Sequence, residues 1–231
     1  MPHKKIIFVI VEGPSDESAL GVLLNRIYCN ASVHVHIMHC DITTERNVNP
    51  SNIVAKVGGL VRKYAGRIFK PVNFSKIIHI VDMDGAYIPN DSVIQDDTCT
   101  KAHYAPTAIH TPNKPKIEER NQQKRENLDK LSATTKIWNI PYQVYYMSCN
   151  LDHALYDKLN TPDSEKEEDA VSFAIQYKDN IPAFLKFISE SDFAVTTDYL
   201  QSWQYIRSEL HSLERHTNLS LCFSDITNPQ P

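Results

Sequence analysis

The stretch "KKIIFVIVEGPSDESAL", residues 4–20, constrains the fold of this chain more than any other. Its run from Ile6 to Val11 contains no polar residue and is rich in Ile and Val, the pattern of a strand covered on both faces in a parallel sheet. Pro14 and Ser15 then open a helix whose apolar positions Leu20, Leu23, Leu24 and Ile27 recur at helical spacing. Asp16 and Glu17 lie in its first turn, where the helix dipole favours them. A buried strand that ends on Glu12, with Asp16 four residues later at the mouth of a helix, places two carboxylates where packing alone requires none.

The remaining chain repeats the alternation. "SVHVHIMHCDI" alternates Val33, Val35 and Ile37 against His34 and His36, a strand pattern. Residues 51–68 read as a helix, and "SKIIHIVDMDGAYIP" contributes a strand over Ile77 to Val81. A polar, turn-rich stretch from Pro89 to about Pro115 follows, then a highly charged helix, "KIEERNQQKRENLDKLSATT", and a fourth strand, "PYQVYYMS". Helices are expected around 151–160, 165–188 and 197–216. Strand, helix, strand, helix, strand, insertion, helix, strand implies an α/β fold with right-handed crossovers, a parallel sheet flanked by helices. The expected organisation is a domain over 1–160, with an insertion at about 86–116, and a helical C-terminal extension over 161–231, entered through the polar junction "NTPDSEKEEDAV".

Composition narrows the functional classes. The 231 residues are 42% hydrophobic and 23% charged, as in a globular chain with a sizeable core. No apolar run approaches the roughly 18 residues needed to cross a bilayer, so no membrane role is expected. The N-terminus has no small-residue cleavage site, and the expected location is the cytoplasm. The five cysteines are scattered and show no CxxC spacing, which points away from a disulfide framework or a zinc site. A net charge of -4 argues against coating nucleic acid through bulk positive charge, yet permits a local grip on phosphate in which cations offset carboxylates.

In open α/β sheets, functional groups gather at the carboxyl ends of the strands. Glu12 follows the first strand, Asp82 and Asp84 end the third, and Asp152 in "MSCNLDHALY" lies just past the fourth. On extended backbone, positions i and i+2 point the same way, so Asp82 and Asp84 are expected to face one point. Carboxylates brought to about 4 Å repel by ~1 kcal/mol in water and up to ~4 kcal/mol near a protein surface. A divalent cation removes that cost, and hard oxygen ligands without His or Cys favour Mg²⁺ or Mn²⁺ over zinc.

"IIFVIVEGPSDESAL" followed by "IIHIVDMDGAY" resembles the Toprim domain, shared by topoisomerases, bacterial primases, small RNA-maturation nucleases and the overcoming-lysogenization-defect (OLD) nucleases. The form EGxSD is most similar to the OLD-type and stand-alone defence-associated versions, and the resemblance covers roughly residues 4–160. It implies a Rossmann-like Toprim sheet and metal-dependent phosphodiester cleavage of RNA or DNA. Glu12 would act as general acid, base or ligand, Asp16 would join it on one cation, and Asp82 and Asp84 would hold another, with Asp152 as a further ligand. The catalytic residues so implied are Glu12, Asp82 and Asp84, and two ions about 3.5–4 Å apart would stabilise the attacking and leaving oxygens. OLD-type sites also use a lysine, for which Lys101, Lys114 and Lys116 are the candidates. The implied role is a phage-defence effector. The chain carries no GxxxxGK[ST] pattern, so ATP-driven control would come from a separate ABC-type ATPase, with a homodimer as the other protein partner. The alternative is a non-catalytic Toprim module that binds nucleic acid or a partner protein.

Each feature also has a purely structural reading. Glu12 and Asp16 are placed to cap the first helix. Asp84-Gly85 is an ordinary turn signal. His34, His36 and His39 fit a polar strand face, and His153 a helix surface. Tyr142, Tyr145 and Tyr146 fit strand packing better than a base-stacking platform. The mixed charges between Lys114 and Lys130 read as a solvated helix face.

Overall fold

The computed structural model describes residues 4–30 and 32–224. In chain order the elements are β1 (Lys5–Val11), α1 (Pro14–Tyr28), β2 (Val33–His39), α2 (Ile53–Ala65), β3 (Phe74–Asp82), β4 (Val93–Gln95), β5 (His103–Ala105) and β6 (Ala108–Thr111). They continue with α3 (Lys114–Ser132), β7 (Lys136–Ile137), β8 (Ile140–Ser148), α4 (Leu151–Tyr156), α5 (Asp163–Tyr177), α6 (Ile181–Glu190), α7 (Tyr199–Ile206) and β9 (His216–Thr217). The fold is α/β. A mostly parallel mixed sheet, in the order β2-β1-β3-β8-β7 with β9 on β8, is flanked by helices, and a second sheet has the order β4-β6-β5.

The chain forms two compact units, Met1–Ile80 with Glu126–Val144 and Lys166–Phe184, and Val81–Arg125 with Tyr145–Glu165 and Leu185–Pro231. Both units draw on residues before and after 160, and β3, β8 and α3 each contribute to both.

In the first unit β1 pairs in parallel with β2 on one side and β3 on the other, Val9 lying opposite Ile37 and Ile78. This double pairing is why Ile6–Val11 reads as an unbroken apolar run, since both faces of the strand are buried. Phe8 packs against the rings of His36, Tyr64 and Phe74. His36 itself stacks on Tyr64, with ring centroids 3.8 Å apart, so this histidine is a packing residue. On α1, Leu20, Leu23 and Leu24 are buried as their spacing predicts.

In the second unit the stretch read as an insertion is structured. Residues 93–111 form the three-stranded sheet β4-β6-β5, closed around Ile88, Val93, Ile109, Ile117, Cys149 and Leu213. Its strands are only three or four residues long, too short for alternation to register in the sequence.

The helix expected over 165–188 is two helices, α5 and α6. Pro182 lacks the N–H that an uninterrupted helix would use, and it sits in the opening turn of α6, where that loss costs nothing. The Asn180 side chain accepts the Ala183 N–H at 3.2 Å. The helix expected over 197–216 ends at Ile206, because the following segment pairs with the sheet. Thr217 and His216 of β9 lie opposite Met147 and Ser148 of β8. Next to β9, Asn218 is fully buried; its side-chain Oδ1 accepts the Tyr146 N–H at 2.8 Å and its Nδ2 donates to Ser202 Oγ at 3.0 Å. Residues 225–231 of the expected extension lie outside the described residues.

Asn218 thus satisfies a strand N–H and a helix hydroxyl that have no water to turn to. Asn218→Ala is expected to cost about 1–3 kcal/mol, the desolvation penalty of the orphaned Tyr146 N–H, since the Ser202 hydroxyl keeps its bond to the Tyr199 carbonyl. Chemical denaturation of the variant checks this, and a loss below about 0.5 kcal/mol would contradict the role given to Asn218.

Candidate functional site

The acidic residues singled out in the sequence fall in both units. In the first, Glu12 directly follows β1. Gly13, which has extended backbone, caps α1, and its N–H donates to Asp16 Oδ2 at 2.9 Å. Asp16 is buried and therefore performs the helix-capping role that the first turn offers an acid. Glu12 is tied elsewhere. Thr43, fully buried in the loop after β2, has its hydroxyl 3.3 Å from Glu12 Oε1 and 3.0 Å from Asp41 Oδ1. One hydroxyl proton cannot serve two carboxylates at once, and Asp41 also accepts the Thr44 N–H at 3.3 Å. Burial, with Glu45, Asp41 and Glu12 adding to it, pushes the neighbouring Cys40 thiol up and keeps it protonated. The Thr43 carbonyl accepts from Asn127 Nδ2 at 2.9 Å, which anchors this loop to the C-terminal half of α3. His39, at the end of β2, pairs with Glu17 at 3.2 Å.

In the second unit Asp82 is the last residue of β3, and its Oδ1 accepts the Leu151 N–H at 2.9 Å. Asp152, one residue further into α4, is buried. Past Asp82 the chain leaves the strand. The Met83 N–H is shared by the carbonyls of Met147 and Cys149, and the Asp84 N–H donates to Cys149 O at 2.6 Å. Asp84 has φ 50° and Gly85 φ 68°, both in the left-handed region. The i, i+2 argument needs extended backbone, so it does not carry Asp84 to the side of Asp82. The two carboxylates take different partners. Gly85 is dictated doubly, by its φ and by Ile109 Cδ1, which a Cβ would meet at 3.0 Å.

Asp84 is held by residues that the sequence reading assigned to solvent. The Lys124 ammonium, on a side chain with no exposed surface, pairs with Asp84 Oδ2. Arg120, one turn earlier on α3, donates to the Asp84 carbonyl at 2.8 Å and to the Tyr104 hydroxyl at 2.7 Å. Tyr104 is fixed in turn by Asn160, which accepts its N–H at 2.8 Å and donates to its carbonyl at 2.7 Å. Burial alone would raise the Asp84 carboxyl, but Lys124 and Arg120 outweigh it and hold the group below the usual carboxylate range. The lysine paired with a candidate carboxylate is therefore Lys124 and none of Lys101, Lys114 or Lys116; Lys114 instead makes a surface pair with Glu118 at 3.8 Å. Lys124 is masked in the sequence because the inward stripe of α3 is mostly polar. Ile117, Asn121, Lys124, Asn127, Leu128 and Leu131 are buried at helical spacing, and half of them carry polar side chains. The solvated-face reading is thereby corrected for Lys124 and Arg120, while Lys116, Glu119, Glu126, Asp129 and Lys130 are exposed as that reading expects.

His153 is a buried acceptor and not a helix surface residue. Its Nδ1 accepts the Cys149 N–H at 3.0 Å, and burial pushes the imidazole down to about 4, against a smaller upward pull from Asp157. Cys149 is itself buried, and burial, then Asp84 and Asp82, push its thiol up, so it is not a nucleophile at neutral pH. Tyr142, Tyr145 and Tyr146 are all buried in β8, as strand packing requires. All five cysteines are free.

Mg²⁺ or Mn²⁺ can be tested against these donors. In the first unit Glu12 and Asp41 place hard oxygens on either side of the Thr43 hydroxyl. Asp84 suits such an ion poorly: a divalent ion about 4 Å from the Lys124 ammonium would be repelled by about 8 kcal/mol at an effective dielectric of about 20. Among the described residues, no group of three or more His, Cys, Asp or Glu side chains is arranged to hold a metal ion. No protein-family model, no curated protein and no solved structure matches this chain. The Toprim resemblance accordingly rests on the two motifs alone.

Lys124→Met is expected to destabilise the protein by about 3–5 kcal/mol, because it strands the Asp84 charge. Lys124→Met combined with Asp84→Asn removes both charges and is expected to recover most of that loss, since Arg120 keeps its bonds to Tyr104 and the Asp84 backbone. Denaturant unfolding of the single and double variants decides, and a double variant no more stable than Lys124→Met would refute the pairing as the source of the effect.

Proposed function

We propose that this chain is a metal-dependent phosphodiesterase that cleaves RNA or DNA. The observation that carries the reading is the placement of Glu12 and Asp82. Each stands at the carboxyl end of its own strand, Glu12 after β1 in the first unit and Asp82 as the last residue of β3 in the second. The carboxyl ends of such strands are where α/β folds keep their chemistry. On this reading Glu12 and Asp16 in the first unit, and Asp82 and Asp152 in the second, each offer hard oxygens to Mg²⁺ or Mn²⁺, and Asp84 works as a pair with Lys124. A bound divalent ion would supply charge stabilisation and an activated water at neutral pH. Glu12, which accepts from the Thr43 hydroxyl, is on this reading the group that takes or returns a proton, and the buried Lys124 keeps positive charge beside the loop after β3. A role as a phage-defence effector, control by a separate ABC-type ATPase and self-association belong to the same proposal.

A second reading is a non-catalytic module that binds nucleic acid or a partner protein. It is favoured by the structural work already done by two of the acids, Asp16 in the α1 cap and Asp84 against Lys124.

Purified protein incubated with labelled RNA and DNA in Mg²⁺, Mn²⁺ or EDTA tests the proposal. Cleavage is expected with either ion and none in EDTA. Glu12→Gln keeps volume and the contact to Thr43 but loses the charge, so cleavage should fall at least 100-fold with the melting temperature unchanged. Full activity in that variant would remove Glu12 from the chemistry, and absence of cleavage on every substrate would favour the binding module.

A further inference from the structure

The cations of this chain are unevenly placed. From Arg46 to Val81 the sequence carries seven Lys or Arg residues and no Asp or Glu. Within that stretch the connection from α2 to β3 reads Arg67-Ile68-Phe69-Lys70-Pro71-Val72, cations interleaved with apolar residues. In the first unit it lies at the amino-terminal edge of the sheet, beside the start of β1, because Ile6 is opposite Phe74 and the Lys5 ammonium donates to the Val72 carbonyl. Lys5, Arg67 and Lys70 are exposed. Ile68 is 81% exposed and Val72 68%. The connection is tied down on both sides of these two residues. The Gly66 N–H donates to Arg62 O at 3.0 Å and the Phe69 N–H to Ala65 O at 3.0 Å. Asn73 Oδ1 accepts the Lys70 N–H at 2.7 Å, and the Asn73 N–H returns to Lys70 O at 2.8 Å. The Phe69 ring stacks on Tyr64 and meets Phe74 edge-on. With Phe69 anchored inward and the backbone bonded around it, Ile68 and Val72 are held in water, against the hydrophobic effect.

We propose that this edge docks on an anionic membrane surface, with Lys5, Arg67 and Lys70 against the lipid headgroups and the Ile68 and Val72 side chains entering the acyl boundary between them. Anionic headgroups attract Lys and Arg that come within a Debye length of the surface. The boundary beneath them gives the two aliphatic side chains the burial that water denies them. A nucleic acid would match the cations and leave the aliphatic tips unused, since its bases call for rings to stack on. The nearby rings of Tyr64, Phe69 and Phe74 are packed on one another. No helix of the described residues is long and apolar enough to cross a membrane, and a surface contact needs none. The expectation of no membrane role, drawn from the lack of a spanning run, therefore holds for crossing alone. Glu12 does not oppose the contact. It follows the far end of β1, about 23 Å from Lys5 at a rise of ~3.3 Å per residue, well over two Debye lengths at physiological salt. The proposal is independent of the metal-dependent reading of the carboxylates.

Sedimentation of the full chain with lipid vesicles tests the proposal, using phosphatidylcholine alone and phosphatidylcholine with about 30% phosphatidylserine. Binding is expected to be at least about tenfold tighter to the anionic vesicles and to weaken as monovalent salt rises. Two double variants separate the contributions, Ile68→Ser with Val72→Ser, and Arg67→Gln with Lys70→Gln. Each should weaken binding by about fivefold or more, with the melting temperature unchanged because all four side chains are exposed. Equal binding to both kinds of vesicle, or binding to neither, would overturn the proposal. So would anionic binding that the serine variant retains in full, since that is attraction of charge without insertion. The same proteins are mixed with labelled RNA and DNA in EDTA. Nucleic-acid binding that the glutamine variant loses and the serine variant keeps, in the absence of vesicle binding, would assign the edge to nucleic acid and overturn the membrane contact.

Discussion

The buried pairing of Lys124 with Asp84 is the interaction around which the second unit is organised. Taking an ammonium and a carboxylate out of water costs several kcal/mol per ion, and the two charges recover that only where geometry and further hydrogen bonds are in place. The chain supplies both. Arg120 takes up the Asp84 carbonyl, Tyr104 links Arg120 to the small sheet through β5, and the Cys149 carbonyl receives the Asp84 N–H. The left-handed backbone of Asp84 and Gly85 follows from this set of constraints, because the chain must turn out of β3 and present its carboxylate inward to α3 within two residues. Backbone of this kind persists only where its surroundings over-determine it.

The first unit is held by the opposite economy, an apolar strand between two parallel neighbours. β1 is buried from Ile6 to Val11, and the chain cannot continue as a strand without burying Glu12 as well. It turns instead into α1, with Gly13 as cap and Asp16 accepting its N–H. The carboxylate of Glu12 is thus left at the strand's carboxyl end, where the Thr43 hydroxyl meets it. α3 contributes to this unit too, through Asn127, whose amide holds the carbonyls of Thr43 and Val48. A single helix therefore carries Lys124 for one unit and Asn127 for the other, three residues apart on one face.

These two arrangements give the carboxylates different chemical standing. Glu12 accepts from the neutral Thr43 hydroxyl, which also reaches Asp41. Asp84 has two cationic neighbours and is satisfied as it stands. Asp16 and Asp82 fall between, each accepting a backbone N–H at the start of a helix, α1 and α4. A shared pattern of acids at strand ends thus resolves into distinct roles, decided by which donor reaches each oxygen.

The sequence by itself determined the α/β alternation, the buried strand β1, the amphipathic α1 and the position of Glu12 and Asp82 at the ends of strands. Apolar periodicity and helix-start chemistry are local, and local signals survive in a single sequence. Pro182 was equally legible as a break in the helix read over 165–188. Tertiary structure alone decided the rest. The short strands β4, β5 and β6 exist because they pair with one another, and β9 exists because β8 receives it. Lys124 could not be told from the other charges of α3, since a buried lysine and a solvated one have the same spelling. Its pairing with Asp84, 40 positions earlier in the chain, is set by the fold and leaves no trace in the local sequence. The left-handed turn at Asp84 was hidden for the same reason: it is held by Cys149 and Arg120, residues distant in sequence that the fold brings to the end of β3.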